Sequence, residues 1–217
     1  MRTFGYNEFL FILQAAQWTL ALSAIAFVGG ALLGLLVALG RTAEHATARA
    51  VSTVFIQVFQ GTPLLLQLFL IFFGAPVLGL DINPWFAAGI ALILNSAAFL
   101  GEIWRGCIQA VPRGQLEAAH ALNLHYVARM RYVVLPQAFK IALPPTVGYM
   151  VQIIKGTSLA AIIGFTEITR AGQIINNATF QPLPVFATVA ALYFVICWPL
   201  SLAAARMERQ RAKALAR

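Results

Sequence analysis

The chain has 217 residues, of which 60% are hydrophobic and 10% charged, with sixteen phenylalanines, a mean hydropathy of +0.80 and a formal net charge of +8. This is more apolar side chain than one soluble core of this length holds, so a water-soluble domain is excluded and a lipid-embedded chain is indicated. Nor does the positive balance point to nucleic acid, because the basic residues are spread among loops and a tail and are not gathered with aromatics into one patch.

Residues 9–40 carry no charge and contain the first expected span, 14–39, long enough to cross a hydrocarbon layer roughly 30 Å thick at about 1.5 Å per residue. One preceding arginine and no small-residue cleavage site argue for a retained helix and against a removed leader. Gly30 and Gly34 are spaced so that another helix backbone can come close. After a polar loop from Arg41 to Arg49, residues 50–80 are again uncharged and give a second span, 51–73. Its "QGTPLLLQLF" stretch breaks the pattern. Pro63 is expected to bend the helix and free a carbonyl, and Gln57, Gln60, Thr62 and Gln67 place polar groups that lipid penalises, so this face is expected to look into protein or a passage. "GAPVLGLDINP" reads as a turn-rich loop, and Pro84 starts the third span, 84–102, which carries Asn95 and Ser96. Glu102 and Arg105, three apart, are expected to neutralise each other.

Residues 112–131 are the longest polar interruption. The text "VPRGQLEAAHALNLHYVARMRYVVLP" predicts a short helix at the membrane surface. Pro112 and Gly114 precede it, Glu117 falls in its first turn, and three alanines favour it. Asn123 ends it in the left-handed conformation. The small alanines make a shallow knob that suits docking into a groove on another protein. A second helical piece from about His125 carries Arg129 and Arg131 before Pro136 opens the fourth span, 132–157, where Lys140 reaches back to the headgroups and Pro144 with Pro145 is expected to break the helix. Residues 160–184 are punctuated too often for one helix and are expected outside the bilayer or as a re-entrant segment. The fifth span, 185–205, ends in the basic tail "RMERQRAKALAR".

An all-α membrane protein of five transmembrane helices follows. With the N-terminus outside and the C-terminus cytosolic, twelve Lys and Arg residues fall on the inner side and three on the outer, which sets the expected orientation. Polar groups at membrane depth are candidates to line a passage: Asn95, Ser96, Gln152, Lys155, Thr157, Ser158 and Glu167. Lys155 lies about 22 Å of helix beyond Lys140. Three roles stay open for it: meeting a substrate carboxylate, reaching the outer interface, or pairing with Glu167. Cys107 and Cys197 are not placed for a structural disulfide, and His45, His120 and His125 have no metal-ligand spacing. No Ser/His/Asp set or paired carboxylates suggest catalysis, and no phosphate-loop sequence offers a nucleotide cradle, so neither catalytic nor metal residues are expected. A stand-alone carrier or channel for a small polar solute, using Lys155 and Glu167, is the alternative; five spans divide poorly into two inverted repeats.

The spacing E-A-A, three residues, G, nine residues, I, one residue, L-P is met here by Glu117, Ala118, Ala119, Asn123, Val133, Leu135 and Pro136, with asparagine in place of glycine. With "QGTPLLLQLFLIFFG", "AAFLGEIWRGCIQAVPRGQLEAA", "LPQAFKIALPP" and "KGTSLAAIIGFTEITRAGQ" in that order, the chain resembles the membrane-spanning permease subunits of ATP-binding-cassette importers, in the branch that handles histidine, glutamine, glutamate, arginine and opines. The resemblance implies the type I ABC importer transmembrane fold in a bacterial inner membrane. It implies a translocation path for a polar or charged amino acid, with no cofactor in this chain and with ATP and Mg on a cytosolic ATPase dimer docked at Glu117, Ala118, Ala119, Asn123, Leu135 and Pro136. Further implied partners are a second permease subunit, identical or paralogous, and an extracytoplasmic amino-acid-binding protein. Relatives often carry aspartate where this sequence has Gly156, which weighs against a cationic substrate.

Overall fold

The computed structural model describes residues 3–215. Every regular element among them is helical. α1 (Tyr6–Thr42) and α2 (Ala46–Gly61) are followed by α3 (Leu64–Val77), α4 (Pro84–Gln109) and the short α5 (Arg113–Ala121). α6 (Tyr126–Arg129) runs through a π turn (Met130–Val134) into α7 (Leu135–Gly156) and a 3₁₀ segment (Thr157–Ile163). α8 (Ile168–Thr179) and α9 (Pro182–Leu215) complete the chain. Four stretches are long and apolar enough to cross a membrane: α1, α4, Tyr126–Ile163 and Pro182–Lys213. α2 and α3 pass the same test only as a pair.

That pair meets at 99°, so the second span bends at Pro63 as expected. Pro63 is the N-cap of α3 and has no N–H for the Phe59 carbonyl, and the helix breaks there. Two expectations fail. Pro144 and Pro145 do not break the fourth span: α7 continues through both, and Arg211 Nη1, 3.5 Å from the Ile141 oxygen, approaches the carbonyl that Pro145 leaves without a partner. Glu117 is not in the first turn of its helix, because α5 starts at Arg113 with Pro112 as N-cap. The interrupted segment after residue 160 does break as expected. Gly164, at φ 88°, ends the 3₁₀ segment, and Phe180, at φ 54°, ends α8.

α1 and α4 form the central crossing. A Cβ added to Gly30 would lie 2.5 Å from the Ser96 Cβ, and one added to Gly34 would lie 3.0 Å from the Ala97 carbonyl oxygen. Lipid tails are as apolar as leucine, so close packing of small residues, and not expulsion of water, holds such helices together. One core joins Leu22 and Ala26 of α1 to Leu68, Ala88, Leu92 and Ile153. A second joins Ile12 and Ala15 to Ile168, Ala171, Val185 and Val189, docking α8 and α9 on the start of α1. Large apolar residues point outward from the same helices, among them Leu32, Leu70 and Leu183, as a lipid-facing surface requires.

Candidate functional site

The polar interruption folds into a closed knob. Asn123, at φ 54°, donates its backbone N–H to the His120 carbonyl at 2.8 Å, and Leu124 donates to Ala119 at 3.1 Å. These two bonds are the glycine-type C-terminal closure of a helix, and asparagine tolerates it because its short side chain suffers little in the left-handed region. Ala119 is buried, whereas Glu117, Ala118 and Asn123 are exposed. Beneath the knob, Val111, Val134 and Ala138 pack with Leu116 and Met130, tying α5 to the end of α4 and the π turn. Leu135 is half-buried and Pro136 exposed at the start of α7. The Leu135 N–H reaches back to the Met130 carbonyl, and the helix keeps its direction into α7. α5 therefore sits at the foot of a helical stretch of 38 residues.

The candidate passage residues divide into two groups. Asn95, Ser96, Thr157 and Glu167 are buried, whereas Gln152 and Lys155 are exposed and Ser158 is intermediate. Asn95 donates to the Gln67 side-chain oxygen at 3.2 Å and to the Phe59 carbonyl at 3.3 Å. Gln67 Nε2 in turn reaches the Phe59 carbonyl at 2.8 Å and the Thr62 carbonyl at 3.0 Å. Together these amides meet the Phe59 and Thr62 carbonyls at the α2–α3 bend. Gln67 is part of this site, although its polarity alone showed only that it avoids lipid. Ser96 lies against Gly30, and Thr157 donates to the Ile154 carbonyl at 2.7 Å. Gly156, next to Lys155 in the chain, faces the same bend, since a Cβ added to it would meet Leu64 at 3.3 Å and Leu92 at 3.5 Å.

Glu167 is held elsewhere and does not pair with Lys155. It caps α8, accepting from the Thr169 and Arg170 N–H groups at 2.9 Å each and from the Tyr193 hydroxyl at 2.6 Å. Glu167 lies outside the spanning segments. Burial pushes its carboxyl above the usual carboxylate range, while the Thr169 N–H, the Tyr193 hydroxyl and the Arg170 N–H pull the other way. Thr19 completes the junction by accepting the Ile168 N–H at 3.3 Å. Tyr193 and Thr19 had no signal in the sequence, because each sits inside an apolar run as a lone hydroxyl.

An apolar cavity of about 440 Å³ opens between α1, α4 and α7, bounded by Phe27, Leu35, Trp104, Leu135 and Phe139. Among its lining side chains Trp104 Nε1 donates to the Thr146 hydroxyl at 2.8 Å, so these two polar groups are already paired and the walls are otherwise apolar apart from the Cys107 thiol. Glu102 and Arg105 form the expected pair, with Arg105 Nε 2.8 Å and Nη2 2.5 Å from the two carboxylate oxygens.

Residues 30–213 match the family described as the inner membrane component of binding-protein-dependent transport systems. The chain belongs to this family. The glutamine transport system permease protein GlnP of Escherichia coli K12 is 37% identical over 92% of both chains. A probable amino-acid ABC transporter permease protein of Bacillus subtilis, YckA, is 35% identical over 88% of this chain and 84% of its own. Among solved structures, an amino acid ABC transporter crystallised with histidines superposes with a TM-score of 0.87 at 36% identity, covering 92% of this chain and 94% of that one. The inward-facing methionine transporter MetNI shares the fold, with a TM-score of 0.70 at 20% identity.

As an inner membrane component of this family, the chain is a multi-pass membrane protein with the all-α fold of a type I ABC-importer permease. Its α5 knob and its bent α2–α3 pair both fall within the matched residues.

Proposed function

We propose that this chain is the permease subunit of an importer that carries a polar or charged amino acid into the cytoplasm, driven by ATP hydrolysed on a separate subunit docked at α5. The observation that carries the reading is the knob itself: a closed helix exposing Glu117 and Ala118, packed at the foot of a long unbroken helix. Such a helix passes on rigid-body motion, and a motor that grips it moves the membrane segments with it. Relatives named as amino-acid permeases support the solute class.

In this reading the N-terminus faces outward, α5 lies in the cytoplasm, and ATP and Mg are held by an ATPase dimer that contacts Glu117, Ala118, Ala119, Asn123, Leu135 and Pro136. A second permease subunit, the same or paralogous, completes the path, and an extracytoplasmic receptor delivers the solute to it. Lys155, Gln152 and Ser158 meet the solute, with the Lys155 ammonium facing its carboxylate. Asn95, Ser96, Thr157 and Glu167 hold the wall in shape. Without a carboxylate at Gly156, a neutral or acidic amino acid fits better than a cationic one.

Reconstitution tests this. Proteoliposomes holding the chain, its ATPase and its receptor are expected to take up an amino acid from a panel only when ATP and receptor are both present. Uptake by the chain alone, down or against an ion gradient, would establish the carrier instead.

A further inference from the structure

α5 is joined to the rest of the chain by two kinds of contact. One is the apolar seat formed by Val111, Leu116, Met130 and Val134, which leads into α7. The other is polar: Gln115 accepts from Gln137 of α7 at 3.4 Å, and a second link runs through Arg129, at the end of α6, whose side chain is 12% exposed. Arg129 Nη1 lies 2.8 Å from Nε2 of His120 on α5, and Nη2 lies 3.6 Å from the Glu44 carboxylate in the α1–α2 loop. Its guanidinium carbon sits 5.6 Å from the centre of the Tyr126 ring, and the Tyr126 hydroxyl donates to the Thr42 carbonyl at 3.3 Å. The loop on the receiving side is firmly held. Arg49 of α2 donates to the carbonyls of Ala43 and Glu44 at 2.9 and 2.5 Å, and Arg41 of α1 donates to Thr53 of α2 at 2.8 Å.

We propose that Arg129 is a positioning residue that carries displacement of α5 to α1 and α2, in parallel with the continuous helix that carries it to α7. This rests on the coupling role of α5 put forward above. Nη1 lies 2.8 Å from Nε2 and 3.2 Å from Nδ1 of His120, so the guanidinium rests on the face of the imidazole while its other nitrogen reaches Glu44. This stacked arrangement suits a planar guanidinium and not a lysine ammonium. With Glu44 70% exposed, the link has the strength of a surface pair, strong enough to transmit and weak enough to re-form during a cycle.

The test uses the whole importer with its ATPase and receptor in lipid nanodiscs, with Cys107→Ser and Cys197→Ser. A spin label is placed at Gln57 on α2 or at Phe139 on α7, both exposed. The reading is the change in label mobility between the nucleotide-free state and the state trapped with ATP and vanadate. With Arg129 intact, both positions respond. R129E is expected to cut the response at residue 57 by about two- to fivefold while residue 139 keeps its own, and adding E44R is expected to restore residue 57. E44Q, which alters only an exposed side chain, is expected to act in the same direction as R129E without threatening the fold. An unchanged response at residue 57, equal loss at both positions, or no restoration by the charge swap would overturn the inference. No response at either position with Arg129 and Glu44 intact would instead overturn the coupling role of α5.

Discussion

Gln67 does for the bend what a backbone N–H does in a helix. Pro63 leaves the Phe59 carbonyl without its usual donor, and one amide group from the next helix reaches both that oxygen and Thr62. An unmet carbonyl in hydrocarbon is expensive, so the side chain is structural before it is anything else. Q67A is expected to cost about 1–3 kcal/mol and to lower the thermal midpoint of the detergent-purified protein. N95A should cost less, since Gln67 still reaches the same oxygen; equal midpoints for wild type and Q67A would contradict this assignment. The sequence showed Pro63 as a bend and Gln67 as a polar group avoiding lipid, but which carbonyl meets which amide depends on folding. Glu167 was harder to read. Glutamate is not among the residues that favour helix N-caps, and its partner Tyr193 is 26 positions away, so the capping role has no local signal in the sequence.

At the scale of helices, the spans were legible because charge-free runs have few other solutions, and the Gly30 and Gly34 pair was a fair sign of the α1–α4 crossing. With an added Cβ at Gly30 already 2.5 Å from Ser96, G30L has no room unless the helices part. Overpacking of this kind costs about 1–3 kcal/mol or more, and G30L is expected to lose monodispersity in size-exclusion chromatography while a leucine at exposed Val28 does not. A monodisperse G30L would show that the crossing is looser than described. One local rule misled at this scale. Prolines such as Pro144 and Pro145 usually interrupt a helix, yet α7 continues through both, with Arg211, 66 residues beyond Pro145, 3.5 Å from the Ile141 carbonyl oxygen. Pro63 does interrupt, and the 99° turn that results was beyond prediction from a local pattern, since its size depends on how α3 packs against α4 and the 3₁₀ segment.

Across the whole molecule, the chain separates a lipid-facing exterior, an interior of small residues and a single polar knob on a long helix. The polar groups inside mostly hold backbone, which leaves Lys155 and Gln152 as the exposed polar side chains of the C-terminal half of α7. The central claim is that the knob is where an external motor takes hold. A photo-crosslinker replacing the exposed Ala118 tests it most directly, in membranes where the chain is made together with its ATPase. The account predicts a covalent adduct between the two, formed on illumination and weakened when a neighbouring contact such as Glu117 is removed. If residue 118 captures no ATPase, while the same crosslinker at a lipid-facing site such as Leu32 captures one, the knob is not the grip and the account fails.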